Sequence, residues 1–447
     1  MTTDIKMRIP RPLALTSLVL LGLAQAATFG PETPQDDTGV FSEAASRSSN
    51  AARLATKSNI LIVEFDKAAP ETLKRDGFLS QHAKFHHHMK RATSPATGKP
   101  LSYRTRYTFD NDLFMGASLL MAHPVDEKVV RNIPGVKSVS QAAIYSAPTF
   151  KGASMASNMK AMANASDTFG PHRMTGVDKL HAEKILGQGV TIGVIDSGVD
   201  ASHPALQGAL KGGYDLVGDD YDAGKTPQPD ENPYIDSSCH GASHGTFTTG
   251  IIAARDVGQG FSGVAPEASI KMYRVFGCGD NKGVTSDVTM AAAIRAYQDN
   301  VDAMVMSFGG QGGWRDPPDV QLYDRIAQKG VPIFVASGFS GNVGAFYSYN
   351  PASGKYVTAV GAVNNVELLG YSVEATETPP VQPSREIFLA IAAPFVTQKN
   401  LPVKVLNTDP AKGENDACNA DDVAKAGDLS NSVVVVGRGS CGLRQKV

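Results

Sequence analysis

The chain has 447 residues, 42% of them apolar and 19% charged, with 44 Gly and 26 Pro; that is about three domains' worth of chain with enough apolar material for a sizeable core, which excludes wholesale disorder. It has no Gly-X-Y period and no repeat of solenoid length, so fibrous and solenoid architectures are excluded too. Lys plus Arg number 42 against 44 Asp plus Glu, a formal charge of −2, so the overall charge gives no case for nucleic acid or an anionic membrane as a partner.

In chain order, Lys6, Arg8 and Arg11 precede a short apolar run over 12–23, which ends in Ala24-Gln25-Ala26. A basic start, a short apolar stretch and a small-x-small end predict a secretory signal peptide over 1–26, and the run is too short to span a bilayer. The predicted location is therefore extracellular. In an oxidising compartment four cysteines read as two pairs, with Cys239–Cys278 and Cys418–Cys441 preferred among the three connectivities. None of them has metal-ligand spacing. Asn164-Ala165-Ser166 is a glycosylation sequon.

Residues 27–57 are rich in Ser, Thr, Ala, Asp and Pro without a period and read as a flexible spacer. From 58 to 147 the pattern is strand (59–65), helix (83–90), two strands (103–109 and 117–121), a helix stopped by Pro134-Gly135, and a last strand over 136–140. This predicts a small α+β unit. His86, His87 and His88 are adjacent on a helix and cannot converge on one ion, so they read as a solvated patch. Residues 148–173 read as a linker.

From Gly189 the texture becomes alternating β and α: strands at 190–195, 270–276, 303–306, 331–336 and 356–362, and helices at 286–300 and 320–329. That alternation predicts an α/β fold, a parallel sheet with helices on both faces and its chemistry at the carboxyl ends of the strands. The pattern breaks down after about 370. Val433-Val-Val-Val436, flanked by Cys418 and Cys441, predicts the start of a β-rich module over 398–447.

Two stretches carry chemistry. Asp196 ends the first strand of the sheet, inside Asp196-Ser197-Gly198-Val199. His244 opens a helical run of small and apolar residues, His244-Gly-Thr-Phe-Thr-Thr-Gly250. Taken alone, the first reads as a turn and the second as a cap. Together, in this order, they resemble the Asp and His boxes of the subtilisin-like serine proteases. Residues 263–266 (Gly-Val-Ala-Pro), 273–278 (Tyr-Arg-Val-Phe-Gly-Cys) and 351–354 (Pro-Ala-Ser-Gly) resemble further segments of that family. The unit at 58–147 resembles its inhibitory propeptide, and 398–447 the start of the protease-associated domain of one large secreted branch, which leaves 174–397 as an incomplete catalytic domain.

The resemblance implies a secreted serine endopeptidase precursor acting on protein and peptide substrates, with its own propeptide as an intramolecular partner. Asp196 would orient His244, and His244 would take the proton from a serine. Ser307, Phe308 and Gly309 would pair with the substrate backbone and line one wall of the specificity pocket, with Ser337 and Gly338 on the opposite wall. No cofactor is implied, and structural calcium is left open.

The chain departs from the family in two places. The one near match to the nucleophile block Gly-Thr-Ser-Met-Ala is 152–156 (Gly-Ala-Ser-Met-Ala), and Ser154 precedes Asp196 where the family order is Asp, His, Ser. The serine is therefore expected beyond Val447, and these 447 residues are expected to be inactive. Phe339 stands where the family has the oxyanion Asn, and Asn342 could replace it only in a rearranged loop. The alternative is a pseudo-protease, or a propeptide-type inhibitor that binds related proteases.

Overall fold

The computed structural model describes residues 58–147 and 169–363, apart from 68–69, 124–125, 237, 240–242, 259, 280–281, 339–343 and 345–346, together with 370–375, 385–390, 403–405, 428–429 and 432–435. The expected signal peptide and spacer, Ser154, the Asn164 sequon, Phe339, Asn342, Cys418 and Cys441 lie outside the described residues.

The amino-terminal unit is built on β1 (Ile60–Phe65), in which every residue is buried. β2 (Tyr103–Asp110), β3 (Met115–Met121) and β4 (Val136–Gln141) join it in a four-stranded sheet of order β2-β3-β1-β4, with β3 and β4 both antiparallel to β1. Successive side chains of a strand face opposite sides. Leu61, Val63 and Phe65 pack with Phe85 and Met89 of the helix Gln81–Met89. Ile60 and Ile62 belong instead to a second cluster, shared with Val288, Tyr323 and Met290 from further along the chain. A strand buried on both faces explains why the sequence here, Ile-Leu-Ile-Val-Glu-Phe, barely alternates.

The histidines on that helix are not a solvated patch. All three are partly buried. His86 stacks on Tyr103 and its Nδ1 lies 3.0 Å from the Tyr103 hydroxyl, while His87 and His88 pack against Phe78. Nor is 136–140 the last strand, since Ile144–Ser146 forms β5.

The larger region is a six-stranded parallel sheet. Its strands are β6 (Thr191–Asp196), then, after the short β7 (Val199–Asp200), β8 (Leu210–Asp215); and, after β9 (Tyr234–Ile235), β10 (Ser269–Arg274). β11 (Gly283–Thr285) lies outside it, and β12 (Ala303–Met306), β14 (Ile333–Ala336) and β16 (Thr358–Val360) complete it; between these come β13 (Gly310–Gln311) and β15 (Tyr349–Asn350). The order β16-β14-β12-β6-β10-β8 puts the first strand in the middle. The chain fills one side with β8 and β10, then crosses β6 to build the other side, so winding reverses at the strand that ends in Asp196.

Alternation along β6 and β10 again separates two faces. Ile195 and Tyr273 pack with Ala292, Ala293 and Leu322, which lie on α1 (Ser286–Gln298) and α2 (Pro318–Gln328). Val194, Ile270 and Met272 pack with Ala253 and Leu206 on the other face. Helices therefore cover both sides of the inner strands, which is why those read as largely apolar runs; the edge strand β8, Leu-Lys-Gly-Gly-Tyr-Asp, is only partly buried and was not among the expected strands. The four-stranded sheet of the amino-terminal unit lies on α1 and α2 through Ile60, Ile62, Phe109 and Phe114. Gly370–Ala375 and Arg385–Ala390 form an antiparallel pair, and Val433–Val435 is a strand. Among the described residues no helix is long and apolar enough to cross a membrane.

Candidate active site

β6 delivers Asp196 to the carboxyl edge of the sheet, where it is 0% exposed. A buried carboxylate needs donors, and three groups supply them. The Ser197 amide donates to Oδ1 at 2.7 Å, the Thr248 hydroxyl to Oδ2 at 3.1 Å, and His244 Nδ1 lies 2.9 and 3.1 Å from the two oxygens. His244 stands in the first turn of the helix Ser243–Ala253. Thr248 is four residues further on and so shares its face of the helix. That spacing was the available signal for Thr248, which sequence reasoning passed over.

The turn after Asp196 and the start of the helix are drawn together by further bonds. The Gly245 amide donates to Ser197 Oγ at 3.0 Å, and the Asp200 amide to Thr246 Oγ1 at 2.9 Å. Gly198 takes a φ of +96°, a region that favours glycine. An ionised carboxylate only accepts, so the proton between the pair sits on His244 Nδ1 and the lone pair is left on Nε2. The His244 side chain is 12% exposed, and no described side chain hydrogen-bonds its Nε2. The arrangement can hold an imidazole in one tautomer and stabilise it once it takes a proton through Nε2.

Behind Asp196 lies a second buried cluster. Arg274 is its register partner on β10, and the Val275 amide donates to Asp196 O at 2.8 Å. The Arg274 guanidinium is buried, 3.0 Å from Asp215 and 2.7 Å from Asp219. Burial pushes the Asp215 carboxyl above the usual carboxylate range, and the Arg274 charge opposes that. Cys239 and Cys278 are joined in a disulfide beside this guanidinium, which ties the loop entering the His244 helix to the end of β10. The Asp219 carboxylate and the two sulfurs cluster within 4.8 Å, but the sulfurs are bonded to each other and Arg274 lies against them, so the trio is not a metal centre. The cystine separates its partners by 39 positions. On chain-entropy grounds, Cys239→Ser with Cys278→Ser is expected to lower stability by about 4 kcal/mol, read as a shift in the urea midpoint that reducing agent reproduces in the unsubstituted chain.

Ser307, Phe308 and Gly309 follow β12, and Ser337 and Gly338 follow the neighbouring β14. Both triplet and pair therefore sit at the same sheet edge as Asp196. Phe308 is buried against Phe276, with ring centroids 5.5 Å apart. The Ser337 amide and hydroxyl each donate to Val360 O at 2.9 Å. Gly338 has a φ of +90° and backs onto the Tyr349 ring.

A parallel α/β sheet whose central strand ends in a buried carboxylate that grips a histidine places an oriented general base at the carboxyl ends of the strands. The sequence pattern of the subtilase family (peptidase S8) matches residues 187–441, more than half of the chain, and the protein belongs to that family. It is 35% identical to minor extracellular protease Vpr of Bacillus subtilis (strain 168) over 179 residues, 39% of this chain and 21% of that protein. It is 34% identical to subtilisin E of the same organism over 191 residues, 42% of this chain and 44% of that protein. The major intracellular serine protease of Bacillus subtilis is 33% identical over 214 residues, 47% of this chain and 62% of that protein. The chain thus spans from about a fifth to under two thirds of the length of these relatives.

Proposed function

We propose that this chain is the precursor form of a secreted subtilisin-like serine endopeptidase. The observation that carries the reading is the bond from His244 Nδ1 to the buried Asp196 carboxylate. In this mechanism His244 Nε2 takes the proton of a serine hydroxyl as it attacks the peptide carbonyl, then returns it to the leaving amine, while Asp196 holds the tautomer and balances the imidazolium. Ser307, Phe308 and Gly309 would line the groove that receives the substrate backbone, faced by Ser337 and Gly338. Residues 58–147 act as an intramolecular propeptide covering α1 and α2. The basic and apolar pattern of 1–26 supports export, although relatives are named both extracellular and intracellular.

The reading requires a serine at His244 Nε2, and Ser154 is in the wrong order to supply it. Sequencing the transcript past codon 447 tests the reading: a continuing frame with a Gly-Thr-Ser-Met-Ala block supports it, and a stop there sinks it. In a product carrying that block, His244→Ala is expected to lower kcat by about four to six orders of magnitude on a peptide substrate, and an unchanged rate would remove His244 from the mechanism. Phe339, in place of the family's oxyanion donor, favours a second reading, a pseudo-protease or a binding protein that inhibits related proteases. A stop at codon 447 is the outcome that selects it.

A further inference from the structure

β5 lies antiparallel to β11, with Ile144 opposite Thr285, Tyr145 opposite Val284 and Ser146 opposite Gly283. It is a strand added to the edge of another, the geometry by which extended peptides are bound: the backbone supplies pairing that any sequence can make, and side-chain pockets supply selectivity. Gly310 closes the other side. A Cβ there would stand 3.2 Å from the Tyr145 ring and 3.6 Å from Ile144 O. The segment therefore runs between β11 and the strand end that carries Phe308, with the Tyr145 and Phe308 ring centroids 5.9 Å apart.

Tyr145 is buried, and its hydroxyl donates to Oδ2 of Asp319. Asp319 is 0% exposed and stands in the first turn of α2. Its other oxygen, Oδ1, has no hydrogen-bond partner among the described residues, and no described cation pairs with it. Burying a carboxyl without a cation is costly. Burial accordingly pushes the Asp319 carboxyl up, with the Tyr145 hydroxyl and the first amides of the helix pulling the other way. An apolar occupant would leave this acid with no side-chain partner at all. A phenol satisfies it.

We propose that Asp319 is a specificity-determining residue: the pocket it floors takes the side chain of a tyrosine from a peptide laid along β11, and rejects phenylalanine. The proposal rests on the groove assigned to substrate above, with Tyr145 as the occupant that a substrate tyrosine replaces.

The test uses the full chain carrying Tyr145→Ala, with Tyr145→Leu as the substitute should the first variant lack a cooperative unfolding transition. Two fluorescently labelled hexapeptides serve as probes, Ala-Ala-Ile-Tyr-Ser-Ala and its Phe analogue, with affinity read by anisotropy. The tyrosine peptide is expected to bind about 10- to 100-fold more tightly, the range for a hydrogen bond to an ionisable partner. Adding Asp319→Leu is expected to abolish or reverse that preference. Equal affinities, or no binding of either peptide to a folded variant, would overturn the proposal. Binding is read without hydrolysis, so the two readings fail separately. Tyrosine preference without hydrolysis by a serine-containing product would sink the protease and keep the pocket. Hydrolysis indifferent to tyrosine would do the reverse.

Discussion

Arg106→Met is expected to lower the free energy of unfolding by about 3–5 kcal/mol, the range for removing one partner of a buried ion pair. Arg106 and Asp287 have side chains 1% and 0% exposed, with Nε 2.8 Å from Oδ2. The Ser118 hydroxyl donates to the same oxygen at 2.6 Å, and the remaining guanidinium nitrogens reach Lys225 O and Thr285 Oγ1. Burial opposes the Arg106 charge, but the Asp287 carboxylate beside it more than compensates, and the guanidinium is held more firmly protonated than usual. This pair lies where β2 and β3 of the amino-terminal unit meet the start of α1, so the loss falls on the contact between the two regions. An exposed pair would be worth at most about 1 kcal/mol. Urea unfolding of the full chain decides between these magnitudes, and a loss below 1 kcal/mol would contradict the burial. Replacing both charges, Arg106→Met with Asp287→Leu, is expected to recover most of the loss, because the damage comes from the orphaned carboxylate rather than from a missing attraction.

Asp287 and Asp319 also show where sequence reasoning stops. Each stands in the first turn of a helix, a position where an acid is favoured by the helix dipole alone, so neither announces a buried partner. Those partners, Arg106 and Tyr145, come from residues more than 170 positions earlier. A net charge of −2 is equally blind to a charge pair inside the molecule. Five of the six strands of the sheet were legible, the inner ones because burial leaves a largely apolar run whatever the neighbours are; the edge strand β8, Leu-Lys-Gly-Gly-Tyr-Asp, has no such run and went unread. Asp196 and His244 were legible for a different reason: each alone reads as a turn or a cap, and only the resemblance of the two blocks, in that order, to the boxes of a known family singled them out. β5 was not legible. Three residues, Ile-Tyr-Ser, have no period to read, and they form a strand only because β11 offers an edge. The histidine run was misread through its polarity, when Tyr103 and Phe78 supply aromatic faces against which imidazoles pack.

Gly245→Ala and Gly250→Ala are expected to have opposite effects, although both place a methyl group on the helix that carries His244. A Cβ on Gly250 would meet nothing within 4 Å. Gly250→Ala therefore gains helix propensity and is expected to raise stability by about 0.5–1 kcal/mol. A Cβ on Gly245 would stand 2.1 Å from Gly198 O and 3.1 Å from Gly198 C. These are backbone atoms, and Gly198 cannot retreat freely. It is held at a positive φ against Ile235 and Pro233 O, and its neighbour Ser197 is bonded to both Asp196 and Gly245. Helix and turn must separate by about 1 Å for ordinary contact, at an overpacking cost of about 1–3 kcal/mol or more. The same separation carries His244 Nδ1 from 2.9 Å to beyond hydrogen-bond reach of Asp196. The low-field NMR resonance of the proton between them is expected to vanish in Gly245→Ala and persist in Gly250→Ala. In a serine-containing product, displacement on this scale is expected to lower activity about 10²-fold. A Gly245→Ala protein that keeps the resonance would mean that the close approach of helix and turn does not set the geometry of the pair.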